Sequence, residues 1–100
     1  MNTHEFFFTE SAKEAFHNII LQVQQVSLIA AERVRSKIFH KIHLIHHHPL
    51  QSSKQIDLNG MEGHIRLATI LNYKIYYLVE AERIIVLDLL MDKELRQEKG

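Results

Sequence analysis

His64-Ile-Arg-Leu-Ala-Thr-Ile-Leu, Asn72-Tyr-Lys-Ile-Tyr-Tyr-Leu-Val-Glu and Arg83-Ile-Ile-Val-Leu-Asp-Leu-Leu-Met follow one another with only short polar breaks between them. Each run is rich in β-branched and aromatic residues, the side chains that fit a pleated, half-buried surface. The breaks leave room only for tight reversals. Together they predict a three-stranded antiparallel meander over residues 64–91.

Alternate side chains of a strand face opposite sides of its sheet. The pattern predicts one face made of Ile65, Leu67, Thr69 and Leu71, then Tyr73, Ile75, Tyr77 and Val79, then Ile85, Leu87, Leu89 and Met91. The other face would carry Arg66, Ala68, Ile70, Lys74, Tyr76, Leu78, Val86, Asp88 and Leu90. This assignment requires odd-length connections at Asn72, which tolerates left-handed backbone, and near residues 81–83.

Upstream, Glu5 to Thr9 reads as a first strand. Thr9 and Ser11 can each cap a helix, and Ser11 with Glu14 has the capping-box spacing, so a helix is expected to open there. Ala12, Ala15, Phe16, Ile19, Ile20, Val23 and Val26 recur at spacings of three and four, leaving Lys13, Asn18, Gln22 and Gln25 elsewhere. After a break near Ser27, a second stripe follows in Ala31, Val34, Ile38, Ile42 and Ile45. Pro49 ends it, because proline lacks an amide donor and pushes the preceding residue out of helical geometry. Residues 50–59 read as a polar connection. The expected fold is α+β, with an N-terminal strand, an antiparallel helix hairpin and the meander in two layers. It would form a single domain over residues 1–100, with its core at about 5–92 and a tail at 93–100.

A chain of 100 residues has no room for a separate catalytic lobe. Hydrophobic residues make up 46% and charged residues 24%, ordinary values for a globular chain that suggest neither disorder nor a fibrous repeat. Twelve Lys and Arg balance twelve Asp and Glu, so any nucleic-acid contact must come from a local patch. The absence of cysteine excludes disulfides, thiolate metal sites and cysteine nucleophiles, and fits the cytoplasm. The N-terminus lacks a basic region followed by a long apolar run, and no stretch approaches the ~18 apolar residues of a membrane helix. Neither secretion nor membrane insertion is expected.

Two helices can cover only one face of a sheet, yet the second face is also apolar. An apolar patch of this kind on a small protein marks a partner surface, unless Phe6, Phe8 or the C-terminal tail folds over it. Ile70, Lys74, Tyr76, Leu78, Val86 and Leu90 are the candidate partner-binding residues.

The order of strand, helix hairpin and meander carries Phe8-Thr-Glu-Ser-Ala-Lys-Glu at the first helix, Arg66 in the next strand and Asn72-Tyr-Lys-Ile-Tyr-Tyr-Leu-Val after it. In this it resembles the RelE/ParE toxin superfamily from about Glu5 to Asp92. The resemblance implies a plasmid-stabilising, growth-inhibiting toxin of a bacterial toxin-antitoxin pair, silenced by a cognate antitoxin peptide that wraps it. ParE-like members poison DNA gyrase, and RelE-like members cut messenger RNA on the ribosome. No cofactor is implied. A homodimer and a toxin-antitoxin hetero-oligomer both stay open.

Metal-independent RNA cleavage needs a base, an acid and cations around the phosphorane. RelE-like enzymes build this set from lysines and arginines with a C-terminal tyrosine or histidine. Arg66, Lys54 and Lys93 would be the catalytic residues of such an enzyme here, and Lys74 stands where the family usually has arginine. After Asp88-Leu-Leu-Met-Asp comes Lys93-Glu-Leu-Arg, and no tyrosine follows Tyr77. That departure favours the ParE-like branch. The alternatives are an RNA endonuclease or an inactive relative that keeps only antitoxin binding. A structural alternative for Arg66 is an ion pair with Asp88 on the same face, and for Lys74 a stem lying over apolar surface with its ammonium in water.

His40, His43, His46, His47 and His48 crowd the end of the second helix. His43 and His47 have a spacing that can put two imidazoles on one metal, with His40 on the same side. No Cys, Asp or Glu lies in residues 40–48, so the expectation is a solvated face with pH-dependent charge rather than a metal centre.

Overall fold

The computed structural model describes residues 4–51, 54–56 and 64–91. Strand β1 (Glu5–Phe8) leads into helices α1 (Glu10–Gln24) and α2 (Leu28–His47), followed by β2 (Lys54–Ile56), β3 (His64–Ile70), β4 (Tyr73–Val79) and β5 (Arg83–Met91). The strands form one sheet in the order β1-β5-β4-β3-β2. The α+β architecture is the expected one. The meander β3-β4-β5 is antiparallel, whereas β1 runs parallel to β5, an arrangement that needs the long helical crossover the hairpin supplies. One strand is additional: β2 falls in the segment read as a polar connection and pairs antiparallel with β3 at the sheet edge.

Thr9, not Ser11, caps α1. Its backbone is extended, and its hydroxyl oxygen accepts from Ala12 N at 3.0 Å. The same hydroxyl donates to Leu87 O at 2.8 Å. Ser11 therefore lies inside the first turn, and the Ser11–Glu14 spacing is not used as a cap. Ser27 caps α2 by accepting from Ala30 N at 3.1 Å, and α2 stops at His47, two residues before Pro49. Ala31, Ile38, Ile42 and Ile45 are buried along α2, as are Ala12 and Ile20 along α1. Val26 lies beyond the end of α1 and is exposed, so it does not continue the α1 stripe.

The core joins Ala12 and the α2 isoleucines Ile38, Ile42 and Ile45 to Ala68, Tyr73, Ile75, Tyr77, Ile84, Val86 and Leu89 on the sheet. Burying one such isoleucine is worth about 1.5–3 kcal/mol, so this face carries most of the stabilisation. Phe6 and Phe8 pack against the same core and so do not cover the opposite face.

Residues directly opposite each other on paired strands share a face, and the observed register corrects the expected one. In β4, Tyr73, Ile75, Tyr77 and Val79 face the helices as predicted. In β3 the parity is reversed. Leu71 and Asn72 form a two-residue turn that pairs Ile70 with Tyr73 and Ala68 with Ile75, so Arg66, Ala68 and Ile70 turn to the helix side. In β5 the parity changes within the strand. Tyr77 pairs with Val86 and Tyr76 with Asp88, which leaves Leu87 as a bulge. Ile84 and Val86 before the bulge, and Leu89 and Met91 after it, all face the core. Two candidate partner-binding residues therefore lie elsewhere than expected: Val86 is fully buried in the core and Ile70 packs against it.

Candidate partner-binding surface

Both helices pack on one side of the sheet, and the register builds three cross-strand rows on the other. The first runs through Ile65, Leu78, Ile85 and Phe7 across four strands. The second holds Leu67, Tyr76 and Asp88, and the third Thr69, Lys74 and Leu90. Phe7 and Leu90 are 44% and 47% exposed, Ile65 is buried, and Leu67, Tyr76, Leu78 and Ile85 are half-buried. Lys74 and Asp88 place one charge of each sign among these apolar side chains. Asp88 Oδ1 accepts from the Leu89 amide at 2.8 Å, which orients the carboxylate beside the bulge.

Lys74, Tyr76, Leu78 and Leu90 thus sit on the face proposed for them from sequence, and Phe7, Leu67 and Ile85 join it. These three were missed because their placement depends on the parity of β3, on the bulge in β5 and on where β1 pairs. None of these leaves a residue-level signal.

Arg66 stands on the helix side, opposite Tyr77. Its Nη2 donates to Leu50 O at 3.2 Å, while the buried Tyr77 hydroxyl donates to Pro49 O at 2.5 Å. Neighbouring residues of the sheet thus hold the turn that leaves α2. Asp88 is on the opposite face, so the Arg66–Asp88 ion pair weighed from sequence does not form. Lys74 is likewise on the opposite face from Arg66. Lys54 occupies the β2 position opposite Leu67, next to Gln55, which pairs with Arg66. Lys93 lies outside the described residues.

A second apolar surface marks the tip of the helix hairpin, where Val26, Leu28 and Ile29 are 86%, 72% and 84% exposed. At the other end of α2, the His43 and His47 rings lie 4.3 Å apart and those of His46 and His47 5.2 Å apart. His46 Nε2 lies 2.9 Å from His4 O and its ring leans on Phe6, which ties the end of α2 to the start of β1. Desolvation, and then the nearby His43, His46 and His48 imidazoles, hold the His47 pKa below the usual 6.5. Among the described residues no group of three or more His, Cys, Asp or Glu could hold a metal ion. No helix among them is long and apolar enough to cross a membrane.

The family model for the ParE toxin of type II toxin-antitoxin systems, parDE, matches residues 6–95. The chain belongs to the ParE toxin family. Solved structures share the fold of this ParE-family chain at low identity. A chain of the chromosomal ParDE system from P. aeruginosa superposes with a TM-score of 0.73 at 14% identity, covering 91% of this chain and 98% of that one. A chain of the RelBE2 toxin-antitoxin complex from Mycobacterium tuberculosis gives 0.61 at 15% identity, covering 89% and 98%. One from the archaeal RelE-RelB complex of Pyrococcus horikoshii gives 0.59 at 16% identity, covering 90% and 96%. Comparison with curated protein sequences returns no match. The match to the family model makes the chain a ParE-type toxin of a type II toxin-antitoxin system.

Proposed function

We propose that this ParE-family toxin acts in the cytoplasm by inhibiting DNA gyrase, that it arrests growth and stabilises a plasmid, and that a cognate antitoxin neutralises it. The observation that carries the antitoxin reading is the outer sheet face, apolar along its first row and left uncovered by both helices. An antitoxin segment that fits it brings apolar side chains to Leu78, Ile85, Phe7 and Leu90 and a basic group to Asp88, and passes over Lys74. Tyr76, between Lys74 and Asp88, supplies the rigid aromatic contact typical of an interface centre. Ile70 and Val86 take no part, being on the core side.

The gyrase reading is supported by the ParE family match.

The test is induced expression of the chain alone. The expected result is growth arrest with a DNA-damage response and intact transcripts, relieved by co-expression of an antitoxin encoded beside it. Codon-positioned cuts in messenger RNA with undamaged DNA would replace this reading with ribosome-dependent endoribonuclease activity, with Arg66, Lys54 and Lys93 as its candidate groups. Unimpaired growth would leave an inactive relative that binds antitoxin only.

A further inference from the structure

The sequence pattern of residues 40–48 offers too few ligands for a closed metal centre, but the geometry at the end of α2 suits an open one. His43 and His47 are one helical turn apart and both are exposed, with ring centroids 4.3 Å apart and planes inclined at 53°. An imidazole nitrogen binds a zinc-like ion at about 2.0–2.1 Å, which puts the ion roughly 3.2 Å from the ring centroid. Two imidazoles on one ion then have centroids about 4.5 Å apart at the right angle of a tetragonal nickel or copper site and about 5.2 Å apart at the tetrahedral angle of zinc. The observed 4.3 Å lies close to the right-angle value.

Three further features favour this pair. His46 directs Nε2 to the His4 carbonyl and its ring to Phe6, a bracing role distinct from chelation. His47 is the last residue of α2, where the negative end of the helix dipole attracts a cation. No carboxylate lies within residues 40–48, so the donor set is imidazole alone, which suits zinc, nickel or copper and not magnesium or calcium.

The geometry points to a two-histidine site, His43 with His47, that binds a divalent transition metal at the C-terminal end of α2, with water filling the remaining coordination positions. Metal there cross-links the last turn of the helix, just before the Pro49–Leu50 turn held by Tyr77 and Arg66. The site is independent of the toxin's target and does not require the gyrase reading to hold.

The test is calorimetric titration of the untagged full chain with zinc chloride and nickel chloride near neutral pH, with magnesium chloride in comparison. The expected result is one equivalent of zinc or nickel and no magnesium. His43→Ala and His47→Ala should each weaken binding at least about tenfold, the scale on which a metal site responds even to loss of a supporting hydrogen bond. His40→Ala should stay near the wild-type affinity. Both ligands are exposed, so unchanged metal-free melting should show that the variants fold. Zinc should raise the melting temperature of the wild type and of neither variant. Binding that survives His43→Ala and His47→Ala, or that falls equally with each histidine removed from residues 40–48, would overturn the proposal.

Discussion

Replacing Thr9 with valine keeps the shape of the side chain and removes its oxygen. That atom makes two hydrogen bonds of different kinds: it accepts from Ala12 N at the start of α1 and donates to Leu87 O at the β5 bulge. The bulge is what makes the second bond necessary. Leu87 has no partner residue on β4, and Thr9 supplies a donor for its carbonyl from the end of β1, where Thr9 N also donates to Val86 O at 3.0 Å. Loss of a helix N-cap costs about 1 kcal/mol. Loss of a second, part-buried hydrogen bond costs about 1 kcal/mol more. Thr9→Val is therefore expected to destabilise the domain by about 2 kcal/mol, equivalent to a fall in melting temperature of roughly 10 °C for a chain of this size. Thr9→Ser restores the oxygen and should lose less than about 0.5 kcal/mol, the methyl group being only half-buried. Urea unfolding followed by circular dichroism measures both. Equal losses in the two variants, or a loss below about 0.5 kcal/mol for valine, would refute the bridging role of the hydroxyl.

Leu71 has φ of 55° in the β3-β4 turn, a conformation that costs an L-residue about 1–2 kcal/mol. Glycine removes that cost and adds about 0.5–1 kcal/mol of unfolded-chain entropy, so Leu71→Gly should stabilise by a few tenths to about 1 kcal/mol in the same denaturation assay. Ile38 is fully buried between α2 and the sheet, and Ile38→Ala should cost about 3 kcal/mol, whereas Phe39→Ala on the exposed side should cost less than about 1 kcal/mol. The His47 imidazole should titrate below pH 6.5 by NMR. Because its folded pKa is lowered, its contribution to stability is complete above the unfolded value near 6.5 and is lost as pH falls through the folded value; His47→Ala should flatten that slope.

Much of this fold can be read from hydrophobic periodicity, because a stripe that must face a core repeats at the period of its element. In the α2 stripe Ala31, Ile38, Ile42 and Ile45 are buried and Val34 is partly buried against the core, and the β4 alternation Tyr73, Ile75, Tyr77 faces the helices as expected. What periodicity could not show is where it is interrupted. The Leu71-Asn72 turn lacks the glycine that advertises a two-residue hairpin, so the reversed parity of β3 left no mark. The bulge at Leu87 lies in an unbroken apolar run, Ile84 to Leu87, in which either alternation is plausible. That one extra residue moves Val86 into the core and Ile85 onto the open face. Arg66 followed the same reversal. Its link to the end of α2 became visible only with the β3 register, and so did its separation from Asp88 and Lys74.

A toxin that inhibits gyrase, and is held in check by an antitoxin on the sheet face that neither helix covers, must act on gyrase directly. The most direct measurement is a DNA supercoiling assay with purified gyrase and increasing amounts of the purified chain. Supercoiling is expected to fall as the chain is added and to recover when antitoxin is supplied. Undiminished supercoiling at a large molar excess of folded chain would contradict direct inhibition.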